Sequence, residues 1–201
     1  MNKILLIGSG GHAKSCIEVI EQEGNFKIVG LISNQKISSS IELPILGTDD
    51  DLEKLYQSIK YAFITIGQIK TPKIRSKLFI RLLSIGFKFP VIKSPMSYVS
   101  KRSEINMGSI IMTGTIINAS VKIGNNCIIN NKSLIEHDSI IGDHCHISTG
   151  AIINGGVKVG AGTFIGSGVT TKEGISIGKN CIIGVGSTIK KDIPDNQTFT
   201  N

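Results

Sequence analysis

Three of the four histidines fall within residues 135–147, which read IEHDSIIGDHCHI. His137 is followed directly by Asp138. An imidazole titrates near neutral pH, and an adjacent carboxylate can hold its ring, so this pair has the chemistry of a general base. The alternative interpretations are a solvated histidine and a histidine at a subunit interface.

A second candidate site lies near the N-terminus, where the apolar run at residues 4–7 ends in Gly8-Ser9-Gly10-Gly11. A glycine-rich loop that opens a helix can hold a diphosphate with its backbone N–H groups. The acid that would bind the ribose of NAD at the end of the second strand is missing, since Ser33 and Asn34 stand there. A dehydrogenase is therefore disfavoured.

The second half of the chain repeats every six residues. Stepping by six from Val99 to Ile189 gives Ile or Val at fifteen of sixteen positions, Thr171 being the exception. A small or β-branched residue follows each of them four residues later. A period of six fits neither an α-helix nor an ordinary strand. It predicts a triangular prism of parallel strands, in which three hexapeptides form a coil of 18 residues. We expect a locally distorted coil at Thr171.

The cysteines fit the same repeat. Cys127, Cys145 and Cys181 occupy the small inward position and differ by multiples of 18 residues, so they share one column of the prism. Core packing is the favoured interpretation, against a metal site or a disulfide. Zinc is disfavoured because the chain has no CxxC motif and because successive coil positions point the clustered histidines to different faces.

The first half predicts a small α/β unit with a Rossmann-like parallel sheet. Apolar runs predict strands at residues 4–7, 28–32, 62–66 and 87–92, and helical spacing predicts helices after residue 11 and at 49–59 and 71–85. Ligands of such sheets bind at the carboxyl ends of the strands. We therefore divide the chain into residues 1–94 and residues 95–201.

Composition excludes several function classes. No apolar run approaches the roughly 20 residues that span a bilayer, and no signal-peptide core is present, so a cytoplasmic protein without membrane contact is predicted. The net charge of +7 is spread along the chain, Trp is absent, and 7 Phe and 3 Tyr are the only aromatic residues. Nucleic-acid binding is therefore disfavoured.

Taken together, the G-S-G-G-H loop, Ile66-Gly67 and the I-E-H-D-x-x-I-G-D-x-x-H-I segment resemble one family over nearly the whole chain. It comprises the hexapeptide-repeat acetyltransferases of bacterial nucleotide-linked amino sugars, together with the sialic acid O-acetyltransferases. The resemblance implies a left-handed parallel β-helix after the Rossmann-like domain. It also implies a homotrimer that uses acetyl-CoA, without a metal, in the biosynthesis of bacterial surface glycans.

The resemblance further implies roles for individual residues. His137 is the catalytic base, and Asp138 is the acid that increases its basicity. Acetyl-CoA is contacted by His146, Gly155, Ser167 and Val185. The nucleotide-sugar is held by Gly10, Gly11, His12, Ser33, Asn34 and Gly67.

The expected reaction is the transfer of an acetyl group from acetyl-CoA to the amine of a nucleotide-linked 4-amino-sugar. A first alternative is O-acetylation of a sugar such as sialic acid. A second is a non-catalytic β-helix binding protein, which the intact His137-Asp138 pair disfavours.

Overall fold

The computed structural model describes residues 1–34 and 41–200, and it begins with a four-stranded parallel sheet of order β3-β2-β1-β4. The strands are β1 (Asn2–Ile7), β2 (Phe26–Ile32), β3 (Ile45–Gly47) and β4 (Tyr61–Ile64). The helices are α1 (Gly11–Glu23), a 3-10 helix (Asp49–Asp51), α2 (Leu52–Tyr56) and α3 (Lys73–Ile85).

The local sequence explains these elements. The central strand β1 buries four consecutive apolar residues from Ile4 to Ile7, as a parallel strand covered on both faces requires. Helix α3 begins after Pro72 and ends at Gly86, which adopts the left-handed conformation that glycine accepts without strain. Both positions were expected from the sequence, although the helix starts two residues later than predicted.

The predicted fourth strand at residues 87–92 is wrong. Only Lys88 pairs with the sheet, in an isolated bridge to Tyr61. Pro90 has no backbone N–H to donate to a ladder, and Phe89 turns inward to pack against Phe79 with ring centroids 4.6 Å apart. The fourth strand of the sheet is instead β3, which the sequence did not predict.

The rest of the chain winds as a triangular parallel β-helix with three faces. Face 1 contains β5 (Ile92–Lys93), β8 (Ile110–Ile111), β11 (Ile128–Ile129), β14 (His146–Ile147), β17 (Phe164–Ile165), β20 (Ile182–Ile183) and β22 (Thr198–Phe199). Face 2 contains β6 (Tyr98–Val99), β9 (Ile116–Ile117), β12 (Leu134–Ile135), β15 (Ile152–Ile153), β18 (Thr170–Thr171) and β21 (Thr188–Ile189). Face 3 contains β7 (Glu104–Ile105), β10 (Lys122–Ile123), β13 (Ile140–Ile141), β16 (Lys158–Val159) and β19 (Ser176–Ile177).

The pairing register confirms the predicted period of 18 residues. Ile135 on β12 lies beside Ile117 and Ile153 on its two neighbouring strands, 18 residues away in either direction. These aliphatic residues and the small residues four positions later form a single core inside the β-helix. Cys127, Cys145 and Cys181 are buried in this core, as the repeat predicted.

The β-helix continues through the coil at Thr171, and one hydrogen bond of the strand ladder there has a different acceptor. Thr171 is buried and pairs with Ile189 on β21. On its other side, the backbone N–H of Asn154 donates to the Thr171 hydroxyl at 3.0 Å, and the Asn154 side chain donates to the Thr171 carbonyl at 2.7 Å. A side-chain hydroxyl thus replaces one backbone acceptor without opening the coil.

Glycines that follow the aliphatic position make room for the next coil. A Cβ atom on Gly142 would lie 2.6 Å from the backbone nitrogen of Ala161 and 3.0 Å from its Cα. Because these are backbone atoms held in the ladder, they cannot move aside without breaking its hydrogen bonds.

We therefore expect Gly142→Ala to lower the free energy of unfolding by about 1–3 kcal/mol or more, measured by urea titration. Gly11→Ala is the matched control, since a Cβ atom there has no neighbour within 4 Å. Equal stability of the two variants would contradict the role of Gly142 in the coil spacing.

The α/β unit covers the outer side of face 1. Ile110 and Ile128 on that face pack with Ile20 of α1, Phe63 of β4 and Leu31 of β2 in one apolar cluster. Strand β5, the first strand of face 1, ends two residues before residue 95. The division of the chain into domains between residues 94 and 95 stays a prediction. Within the described ranges, no helix is long and apolar enough to cross a membrane.

Candidate active site

His137 and Asp138 lie at the edge between faces 2 and 3, on the corner that joins β12 to β13. His137 Nδ1 donates to Asp138 Oδ2 at 2.8 Å, because a carboxylate can only accept. Asp138 adopts a left-handed backbone with φ of 61°, a conformation that aspartate tolerates better than most residues. The bond leaves the lone pair of His137 Nε2 directed away from the carboxylate, in the tautomer that a general base requires.

A shallow groove of about 520 Å³ runs along this edge from Glu136 to Gly174. Gly155, one coil below His137, forms part of its floor. A Cβ atom on Gly155 would lie 2.8 Å from Nε2 of His137, so the imidazole ring lies directly over the glycine. Gly155 therefore lies beside the candidate base. Any side chain at position 155 would clash with the imidazole ring in its present position.

The six predicted nucleotide-sugar residues line one cavity of about 500 Å³ at the carboxyl ends of β1, β2 and β4. They are Gly10, Gly11, His12, Ser33, Asn34 and Gly67. Gly10 precedes α1, and neither a side-chain cap nor an acidic residue occupies the first turn of that helix. The positive end of the helix dipole therefore faces the cavity without a competing anion from its own turn.

A carboxylate that the sequence analysis missed also lines this cavity. Asp49, from the segment after β3, accepts from Asn34 Nδ2 at 2.8 Å, and its backbone N–H donates to Asn34 Oδ1 at 3.1 Å. The acid that is absent at the end of β2 is thus supplied by a neighbouring segment. Had β3 been predicted at the apolar residues 45–46, Asp49 would have been recognised as a polar residue at the carboxyl end of a strand.

His12 forms one wall of the cavity, with its Nε2 3.3 Å from the Cys16 thiol. Burial lowers the pKa of His12 to about 3, and the nearby charge of Arg75 contributes to the shift. The ring is therefore neutral at neutral pH, and it can offer a nucleotide-sugar a hydrogen bond but no charge.

His146 lies on face 1, opposite the edge that bears His137. Its Nδ1 donates to the Gln68 carbonyl at 2.6 Å, and its Nε2 accepts from Asn130 at 3.2 Å. Burial lowers the pKa of His146 to about 4, so the ring is neutral and joins the α/β unit to the β-helix. Within one chain, the structure does not bring His146 to His137.

Ser167 and Val185 lie at the edge between faces 1 and 2, on the corners that precede β18 and β21. The Ser167 hydroxyl shares a hydrogen bond of 2.9 Å with Ser148, and Val185 is 74% exposed. The predicted acetyl-CoA residues are thus divided among three places, since Gly155 lies on one edge of the prism, Ser167 and Val185 lie on another, and His146 is buried on face 1. Across residues 1–34 and 41–200, no group of three or more His, Cys, Asp or Glu side chains is arranged to hold a metal ion.

A prism built from hexapeptide repeats is the architecture of the hexapeptide-repeat transferases. Comparison with protein families agrees with this class. Residues 3–82 match the PglD N-terminal domain. Residues 120–155 and 138–173 match the bacterial transferase hexapeptide, and residues 156–191 match the hexapeptide repeat of succinyl-transferase.

Solved structures resemble nearly the whole chain. A histidine-to-asparagine mutant of perosamine N-acetyltransferase from Caulobacter crescentus, in complex with CoA and GDP-perosamine, is 30% identical with a TM-score of 0.93 over 98% of this chain and 93% of that chain. The acetyltransferase domain of PglB from Neisseria gonorrhoeae, in complex with acetyl coenzyme A, is 28% identical with a TM-score of 0.92 over 98% and 96%. The chain belongs to the hexapeptide-repeat sugar acetyltransferases.

This membership confirms the predicted fold class, an α/β domain followed by a left-handed parallel β-helix, and it makes the protein an acyltransferase. WeeI from Acinetobacter baumannii, 24% identical with a TM-score of 0.88, covers 100% of this chain and 97% of its own and shares the fold.

Proposed function

We propose that the protein transfers an acetyl group from acetyl-CoA to the amine of a nucleotide-linked 4-amino-sugar. The observation that carries the proposal is the His137–Asp138 hydrogen bond, which leaves Nε2 free in an open groove. The perosamine N-acetyltransferase bound to GDP-perosamine supports the choice of an amine acceptor. We place the reaction in the cytoplasm, where acetyl-CoA is made, as a step in bacterial surface-glycan synthesis.

The mechanism is direct transfer. His137 Nε2 accepts a proton from the uncharged sugar amine as the amine nitrogen attacks the thioester carbonyl carbon. The carbon–sulfur bond then breaks, and the same proton passes from Nε2 to the leaving thiolate. Asp138 holds the ring in the required tautomer and stabilises the imidazolium that forms between the two transfers.

The buried thiols take no part in this mechanism. Burial raises the pKa of Cys127 to about 12 and that of Cys145 well above its usual value, so neither forms a thiolate nucleophile. Direct transfer requires no covalent acyl-enzyme, so the burial of these thiols is consistent with it.

A homotrimer would bring Gly155 of one chain to Ser167 and Val185 of the next. Face 2 adjoins both the edge that carries His137 and Gly155 and the edge that carries Ser167 and Val185. If three prisms turn face 2 toward a three-fold axis, the first edge of one chain meets the second edge of the next. Exposed apolar side chains on face 2 support this arrangement, since Tyr98 is 60% exposed and Ile116 is 43% exposed.

The cavity at the carboxyl ends of the α/β strands is proposed to hold the nucleotide-sugar. Its glycine-rich wall leaves the backbone of Gly10 and Gly11 open to a diphosphate, and the Asn34–Asp49 pair offers polar groups to the nucleoside. The sugar would then extend from this cavity to a groove between chains.

The decisive experiment supplies acetyl-CoA with UDP-, dTDP- and GDP-linked 4-amino-sugars, each paired with the analogue that has a hydroxyl at the same carbon. We expect an N-acetylated product and equimolar CoA from one amino-sugar, measured by mass spectrometry, and little turnover of its hydroxyl partner. Preferential acetylation of a hydroxyl would instead favour the sialic acid-type O-acetyltransferase. Failure to bind acetyl-CoA in calorimetry would favour a non-catalytic protein.

A further inference from the structure

Arg75 is a buried cation at the junction of the α/β unit and the β-helix. Its Nη1 donates to the Ile66 carbonyl at 2.6 Å, just past the end of β4. Its Nη2 donates to both the carbonyl and the side-chain oxygen of Asn126, each at 2.8 Å, on the corner between faces 3 and 1. Only 2% of the residue is exposed.

No anion of the described residues neutralises this charge. Arg75 takes part in none of the ion pairs within residues 1–34 and 41–200, and its Nε has no hydrogen-bond partner there. Burial lowers the pKa of Arg75 to about 10, which still leaves it protonated at neutral pH. A buried charge without a counter-ion is costly, and cations in such places are usually paired.

The charge lies directly behind the nucleotide cavity. Ile66, whose carbonyl Arg75 contacts, lines that cavity, as do Ile74 and Leu78 from the same helix. His12, which also lines the cavity, borders the same loop, since a Cβ atom on Gly67 would lie 3.5 Å from the Cβ atom of His12. Among the described residues that line the cavity there is no Lys or Arg.

We propose that Arg75 is a positioning residue for the substrate, whose buried charge attracts the diphosphate of the nucleotide-sugar through the loop at residues 65–67. This inference rests on the proposed function. The substrate would supply the missing anion, so binding would offset the burial of the guanidinium. The same side chain ties the cavity wall to the β-helix at Asn126, which fixes the diphosphate relative to the acetyl-transfer edge.

The test compares ligands that differ only in charge. UDP, GDP and dTDP, with the matching uncharged nucleosides, are titrated by calorimetry into the wild-type protein, Arg75→Met and Arg75→Lys. For the diphosphate that binds the wild type most tightly, we expect Arg75→Met to lose about ten- to thirtyfold in affinity. The affinity for the matching nucleoside should change less than threefold, and Arg75→Lys, which keeps the charge, should retain most of the preference for the diphosphate.

Controls separate this role from a structural one. Asn126→Gly keeps the left-handed backbone of Asn126 and the charge of Arg75 while removing the side-chain hydrogen bonds of Asn126 to Arg75 and His144, so it should also retain the preference for the diphosphate. If Arg75→Met does not fold, Arg75→Gln is the second neutral variant, because its amide can still donate to the Ile66 carbonyl. Acetyl-CoA affinity, measured in parallel, should stay unchanged in every variant.

An equal loss of diphosphate and nucleoside affinity in the neutral variants would show that Arg75 is merely structural and would overturn the inference. An undiminished preference for the diphosphate would overturn it as well. If the wild type bound acetyl-CoA but none of the nucleotides, the proposed function itself would fail, and this inference with it.

Discussion

His137→Ala should lower the turnover number by about 10²–10⁴-fold, the usual contribution of a general base. The side chain is 65% exposed, and its bonding is limited to its neighbour Asp138 and the surface of the groove, so its removal should leave the fold intact. The loss should appear in kcat, with the KM for acetyl-CoA little changed. Steady-state kinetics with the amino-sugar acceptor, together with a thermal unfolding curve, measures both quantities.

The matched control is His144→Ala. His144 lies one hexapeptide later at the edge between faces 3 and 1, where its ring meets Phe79 edge-on at 5.6 Å. This substitution should affect stability more than turnover. Asp138→Asn, which suits the left-handed backbone there, should reduce kcat by about tenfold or more, since it no longer enforces the tautomer. Near-normal turnover by folded His137→Ala would refute the assignment of the base.

Gly155→Ala should be the second most damaging change, with kcat reduced by roughly a hundredfold, because misplacement of a catalytic group by about 1 Å can have this effect. The new methyl group would lie only 2.8 Å from Nε2 of His137, which is too close, so the exposed ring would have to move out of the groove. Stability should change little, since the atoms that must move belong to a surface side chain.

A double-mutant cycle shows whether this effect passes through the imidazole. In the His137→Ala background, Gly155→Ala should cause almost no further loss of kcat, because the ring that it displaces is already absent. A further loss of comparable size would mean that the methyl group obstructs acetyl-CoA directly and does not act by displacing His137.

The sequence predicted the β-helix in detail because its signal is local and repeated. A residue such as Ile135 has the same environment as Ile117 and Ile153, so one hexapeptide explains the others. The prediction failed at residues 87–92, where Pro90 and the inward turn of Phe89 override an apolar run that otherwise resembles a strand.

The candidate site was predictable only in part. The His137–Asp138 bond joins adjacent residues, and its geometry follows from a single corner. The Asn34–Asp49 pair joins residues 15 positions apart in different loops, and the burial of His146 depends on how the α/β unit packs on face 1. Such contacts depend on tertiary packing, which periodicity and motif spacing do not contain.

The four buried cysteines can also be used to follow the unfolding of the protein. Cys16 lies inside the α/β unit, and the other three thiols lie along the axis of the β-helix, all buried. In the native state, an alkylating agent added to the solvent would find no accessible sulfur among them. Under partial denaturation, the order in which the four become labelled reveals which of the two architectures opens first.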